Sequence, residues 1–254
     1  MSHKPVSVSI IGIQGIPDIQ KGDDLAQIIV DRVKRQKETI KDHDILVISQ
    51  KVVSKAEGQI IQLDAIQPSV FSRQIAKELQ RDPRHVEVIL NESKKIIRMR
   101  SGHLITETRH GFICANSGVD QSNIGKKNSV TLLPKNPDAS ANLIRKKIHQ
   151  LTGKNVPVII TDTFGRAWRM GQVNFAIGVS GIKPVHDYRG KRDMYRRVLH
   201  VTEIASADEL ASAGELVMNK SDRIPAAIIR GYRYRFGHGS GKDLLRPEDK
   251  DLFR

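Results

Sequence analysis

Two aspartates stand in similar company. Asp162 lies in "IITDTFGR" and Asp120 in "CANSGVDQSN", each after an apolar run that reads as a strand and each among Gly, Ser, Thr and Asn. An oxygen-rich setting of this kind suits a hard cation, because Mg²⁺ and Mn²⁺ take one or two carboxylates and complete their shells with water or substrate phosphate. The competing reading is that each Asp only closes a turn through local hydrogen bonds. Phosphate handling has two candidate loops. "QGIPDI" places Gly15, Ile16, Pro17 and Asp18 after a strand, and "ISQKVVSK" places Ser49, Gln50, Lys51 and Lys55 at the end of another. Neither has the glycine and lysine spacing of a P-loop, and no dinucleotide fingerprint occurs, so each alone also reads as an ordinary loop. Arg166 and Arg169 follow Asp162 closely, with the single tryptophan, Trp168, between them.

Other chemistries are weaker. The nine histidines show no zinc spacing, no serine sits in a nucleophile elbow, and the one cysteine, Cys114, has no partner base and reads as a small buried hydrophobe. His110, beside Arg109 in "TRHGF", suits anion binding or proton transfer, with a structural or surface role as the alternative.

The elements that must position these residues follow from periodicity. Residues 6–13 read as a strand and "QGIPDIQKGDD" as a loop; a helix capped by Asp23 or Asp24 then carries Leu25, Ile28, Ile29 and Val33 on one face. "DILVISQ" reads as a second strand, and "KVVSKAEGQIIQL" as a polar turn leading to further extended chain. "SVFSRQIAKELQRD" looks helical. The alternation in "HVEVILNESKKIIRMRSGHLITETRHGFICANSG" predicts antiparallel strands about "RSGH", which argues against a doubly wound sheet. A helix is expected over 138–150, then the strand ending at Thr161, then "VNFAIGVSGI" as extended chain. Ser206 and Glu209 form a capping-box pattern at the start of "SADELASAGELVMNK", and "AAIIRGYRY" reads as a final strand. The expected fold class is α+β, with mixed, largely antiparallel sheets. The chain is read as one unit over 1–254, with a polar C-terminal tail over 237–254 lying along the surface.

Forty-two basic against twenty-eight acidic residues give a net charge of +14, so the surface should attract anions. Nucleic acid is one candidate, yet aromatics are only 4% and no nucleic-acid signature appears, so phosphate-rich small molecules account better for the charge and neither nucleic acid nor membrane is expected as a partner. No run approaches the roughly 20 apolar residues of a membrane span, and the first residues lack a secretory signal, which makes the cytoplasm the expected location.

Read together, "GIPDIQKGDDL", "DILVISQKVVSKAEG", "ETRHGFICANSGVDQSN", "LLPKNPDASA", "ITDTFGRAWRMGQ", "AIGVSGIKPVHDYRG", "ADELASAGELVMNK" and "IIRG" resemble the coenzyme F420-0:L-glutamate ligase (gamma-glutamyl ligase) family, from about Ile13 to Gly231. The ending "LLRPEDKDLFR" resembles the segment that leads into a nitroreductase-like domain in two-domain relatives, and the stand-alone form is expected here. The resemblance implies two intertwined subdomains in a homodimer. It implies GTP-dependent addition of L-glutamate to coenzyme F420-0 through an acyl phosphate, with gamma-linked extension, two sites for Mg²⁺ or Mn²⁺, and K⁺ as a further cation. By the same resemblance, Asp120 and Asp162 correspond to ligands of the first divalent cation and Thr163 to a ligand of the second. Gly15, Ile16, Pro17, Asp18, Gln50, Lys51, Lys55 and Asn123 correspond to GTP contacts, with Met218, Asn219 and Ser221 in a segment closing over the nucleotide. Arg166 and Arg169 are assigned as a phosphate or carboxylate clamp by proximity to Asp162. Lys220 departs from the pattern, standing where an oxygen donor to the second cation is expected; either Asp222 or water substitutes, or the second cation is held less tightly, and that ligand is left unassigned. The alternatives are a ligase of this family with a different acceptor or amino acid, and a basic, non-catalytic nucleic-acid-binding protein.

Overall fold

The computed structural model describes residues 6–122 and 127–251. Asn123 therefore lies outside the described residues.

A five-stranded sheet forms the larger lobe. Its strands are β1 (Ser9–Gly12), β2 (Ile45–Ser49), β8 (Val158–Arg166), β9 (Arg169–Ser180) and β12 (Ala226–Arg230), in the order β1-β12-β2-β8-β9. Every pairing is antiparallel except that of β2 with β8. The central strands are apolar on both faces because both are covered. Leu46, Ile48, Val158, Ile160 and Ile228 point to one side, where α1 (Leu25–Arg35) and α5 (Pro137–Thr152) bury Ile29, Val33, Ile144 and Ile148. Ile45, Val47, Ile159, Ala227 and Ile229 point to the other, against Leu210 and Ala211 of α6 (Ser206–Met218). Strand periodicity divides one apolar run between two cores.

The smaller lobe lies between α2 (Gln50–Ala56) and α5. It holds the pair β3 (Ile60–Gln62) and β7 (Ser129–Thr131), the helices α3 (Val70–Leu79) and α4 (Pro83–Asn91), and the antiparallel sheet β4 (Ser93–Arg100), β5 (His103–Thr108) and β6 (Ile113–Ala115). Its own core gathers Leu63, Ile75, Leu79, Val86, Ile89, Leu104 and Val130. A short two-stranded excursion, β10 (His186–Asp187) with β11 (Glu203–Ile204), precedes α6. The result is a mixed α+β fold with mostly antiparallel pairing.

Four local expectations are corrected. The start of "KVVSKAEG" is helical rather than a polar turn, since Gln50–Ala56 turns directly out of β2 and buries Val53. "HVEVILN" is α4, not a strand. Asp82 accepts a hydrogen bond from the Arg84 amide as N-cap, Pro83 opens the helix, and Val86 and Ile89 share its buried face, so an i, i+3 pattern had been read as alternation. Ser206 does not cap α6; its hydroxyl donates to the Pro184 carbonyl at 3.1 Å and Ala205 takes the N-cap position. The strand bearing Asp162 does not stop at Thr161. It runs on to Arg166 as a hairpin with β9, after a register shift between Ile160 and Thr161. The tail is anchored where Ser240 and Gly241 donate to the two carboxylate oxygens of Asp138, at 2.6 and 2.9 Å.

Candidate active site

Just past the register shift, beyond Thr161, β8 has parted from β2 but stays paired with β9, and its next residues line a cleft of about 1090 Å³ between the two lobes. From the sheet come Thr161, Asp162, Thr163 and Asn174; from α2, Lys51 and Lys55; from the smaller lobe, Asp120 and Ser122. The loop after β1 contributes Ile16, Pro17 and Asp18, and the end of α6 with the segment after it contributes Met218, Asn219, Lys220 and Ser221.

Asp120 owes its place to the turn before it. Asn116, Ser117 and Gly118 are all left-handed, with φ of 56°, 53° and 71°, and a Cβ on Gly118 would lie 2.8 Å from the Leu133 side chain. The Ser117 hydroxyl pays for part of this strain with hydrogen bonds to the hydroxyls of Ser93 and Thr106, each at 2.7 Å. Beyond the turn, Asp120 exchanges two backbone hydrogen bonds with Thr131, which pins its Cα beside β7. Its carboxylate receives the Lys51 ammonium at 2.7 Å and the Ser122 amide at 2.7 Å. Burial works to raise this carboxyl, and Lys51 and Ser122 outweigh it, holding it below its usual range.

Asp162 is the opposite case. It is half-buried, and burial pushes its carboxyl up to about 6, against the pull of the Thr163 backbone N–H, while the charge of Asp120 adds to the rise. Two carboxylates that feel each other across a cleft, one of them costly to ionise, fit a cation held between them. Among the described residues no group of three or more His, Cys, Asp or Glu forms a metal cage. A cation on Asp120 and Asp162 would therefore complete its shell from water or a ligand such as phosphate.

The nucleotide candidates converge only in part. Lys55 is buried and donates to Asp18 at 2.7 Å, joining α2 to the loop after β1. Gly15 is left-handed, at φ 70°, and turns that loop without lining the cleft. Gln50 is buried behind the lining, its side-chain oxygen receiving the Ser54 hydroxyl at 2.8 Å. Asn219 and Ser221 both donate to Asp222 at 2.9 Å, which turns that carboxylate toward its own segment. Arg166 and Arg169 face each other at the hairpin tip and are not in the cleft lining; Arg166 donates to the Met170 carbonyl at 2.6 Å. His110 contacts the Lys135 carbonyl at 3.1 Å and stacks on Phe112, and the buried Cys114 thiol is pushed up to about 12 by burial; both serve packing.

The family model for F420-0:gamma-glutamyl ligase matches residues 13–231. The chain belongs to this family. The coenzyme F420:L-glutamate ligase of Methanothermobacter thermautotrophicus is 46% identical over 254 residues, covering 98% of this chain and 100% of the relative. The protein of that name from Methanocaldococcus jannaschii is 47% identical over 250 residues and 97% of each chain, and that from Methanosarcina mazei 40% identical over 247 residues, 96% of this chain and 94% of the relative. Three cleft residues escaped the sequence reading. Ser122 holds Asp120, Asn174 stands opposite Thr163 in the β8–β9 register, and Glu215 reaches in from α6. The available signal was Asn174, an amide inside the otherwise apolar strand "VNFAIGVS".

Proposed function

We propose that this protein is a GTP-dependent ligase that joins L-glutamate to the carboxylate of coenzyme F420-0 and extends the product through gamma linkages. The observation that carries the reading is the convergence of Asp18, Lys51, Lys55, Asp120, Asp162 and Met218, from five separated stretches of chain, on one cleft in a member of this family. The name of the relatives, coenzyme F420:L-glutamate ligase, supports the acceptor and the amino acid.

In this reading an acceptor carboxylate oxygen attacks the γ-phosphorus of GTP, the bond to the β-phosphate oxygen breaks and GDP leaves. The amino group of glutamate then attacks the acyl carbon of the acyl phosphate, the acyl C–O bond breaks, phosphate departs and the amine releases a proton to solvent. The chain's work is placement and charge. Lys55, fixed by Asp18, and Lys51, fixed by Asp120 and Ser122, set two ammonium groups on one wall of the cleft. Asp120 and Asp162 would hold Mg²⁺ or Mn²⁺, which when bound would offset the charge on phosphate oxygens. A homodimer belongs to the same proposal. Trp168 and Met170, at 84% and 94% exposure on the hairpin tip, support it as apolar surface that a second copy would cover.

The test is a mass-spectrometric assay with purified protein, coenzyme F420-0, L-glutamate, GTP and Mn²⁺ or Mg²⁺. Product heavier by glutamyl units, with matching GDP and none without metal, is the expected result. A folded protein that binds GTP without a mass shift would indicate another acceptor, and failure to bind GTP would remove the nucleotide reading.

A further inference from the structure

Beside Asp162 the cleft wall holds three oxygens whose directions are set by their own neighbours. The Thr163 hydroxyl donates to Asn174 Oδ1 at 2.6 Å, which leaves the threonine oxygen free to accept. Asn174 is buried, and its amide nitrogen donates to Glu215 Oε2 at 2.8 Å, which fixes its carbonyl oxygen toward Thr163. Glu215 presents its other oxygen to the same point. Two neutral oxygens and one carboxylate form the donor set a hard cation accepts.

A cation is already there, and it belongs to the chain. The Lys220 ammonium donates to the Thr163 hydroxyl, lies 3.0 Å from Glu215 Oε1 and 3.4 Å from Asn174 Oδ1, and so meets three acceptors with its three donors. A protonated lysine offers no lone pair to a metal. Asp222, the neighbouring carboxylate, accepts from Asn219 and Ser221 and is not part of the cleft lining. These residues do not fit a second divalent cation on Thr163, the role its family resemblance implies.

We propose that the Lys220 ammonium is a tethered cation that takes the place of a second metal ion, so that the cleft loads one divalent cation, on Asp120 and Asp162, for each nucleotide bound. The inference rests on the nucleotide reading above. Its consequence is a positive charge beside Asp162 that survives metal removal and does not vary with metal supply.

Equilibrium dialysis against Mn²⁺ and a non-hydrolysable GTP analogue, with metal counted by mass spectrometry and nucleotide by absorbance, tests it without reference to activity. Wild type should retain one Mn²⁺ per nucleotide. Lys220→Gln, which removes the charge at an exposed position and adds a carbonyl oxygen, should retain two, whereas Lys220→Arg should stay at one. Two Mn²⁺ per nucleotide in wild type, or one in Lys220→Gln, would overturn the inference while leaving the nucleotide reading intact. Failure of the wild-type protein to retain the analogue would overturn the nucleotide reading, and the inference with it.

Discussion

The two walls of the cleft each present an aspartate, and the protein treats them in opposite ways. On the wall built by the smaller lobe, Asp120 sits after a strained turn, paired with Lys51 and Ser122 and held below its usual range. On the wall built by the sheet, Asp162 sits in the β8–β9 strand pair just past a register shift and is raised to about 6 by burial. A cation held between them would therefore draw on two unlike carboxylates. A cation arriving at Asp162 would relieve a burial penalty, whereas at Asp120 it would compete with an ammonium already in place.

The largest effect is expected from removing the carboxylate that burial raises. Asp162→Ala should lower metal-dependent turnover by about two orders of magnitude or more, with circular dichroism unchanged. Unaltered turnover would end the assignment of a cation to that residue.

Next in size is a change that loosens one wall and spares the other. Leu104 is fully buried in the smaller lobe's core, so Leu104→Ala should cost about 2–5 kcal/mol in denaturant unfolding. A loss under about 1 kcal/mol would show that this core does not hold the Asp120 wall.

The stability effects of removing the two charges should then differ in sign. The folded value of Asp162 lies above its ordinary 3.8, so ionising it penalises the folded state; the penalty is full above pH 6, shrinks as pH falls and is gone below 3.8. Asp162→Asn should therefore stabilise the metal-free protein at pH 8 by about 1–3 kcal/mol, with no gain at pH 3.5. Asp120→Asn should destabilise it by up to about 1 kcal/mol, because the pair with Lys51 is partly solvated. Matching signs in thermal unfolding would mean that the two walls are electrostatically alike.

The smallest effect is expected at the hairpin tip. Arg169 is exposed and outside the cleft lining, so Arg169→Ala should change stability by less than about 0.5 kcal/mol. A fall in activity at unchanged stability would then assign Arg169 to substrate contact, and unchanged activity would remove it from the clamp.

How far the sequence carries can be judged element by element. The strands at 45–49 and 226–230 and the helices at 25–35 and 137–152 were legible because apolar periodicity and caps such as Asp24 are local. Helix α4 was misread because seven residues with Val86, Val88 and Ile89 fit both periods, and only packing against the lobe's core separates them. Asp120 and Asp162 were legible as candidates by their residue types and company. Their opposite electrostatic states were not, since Lys51 reaches Asp120 from a helix far away in sequence.

The amino-acid sequence alone carried most element types, the fold class and the family, and it marked the two carboxylates as candidates, because these follow from local spacing or from many motifs in order. Which ammonium faces which carboxylate was settled by the packing of distant segments. Lys51 closes on Asp120, Lys55 on Asp18 and Lys220 on Thr163, Asn174 and Glu215. Such pairings depend on where distant segments meet, and on how much water each wall excludes, which no local pattern encodes.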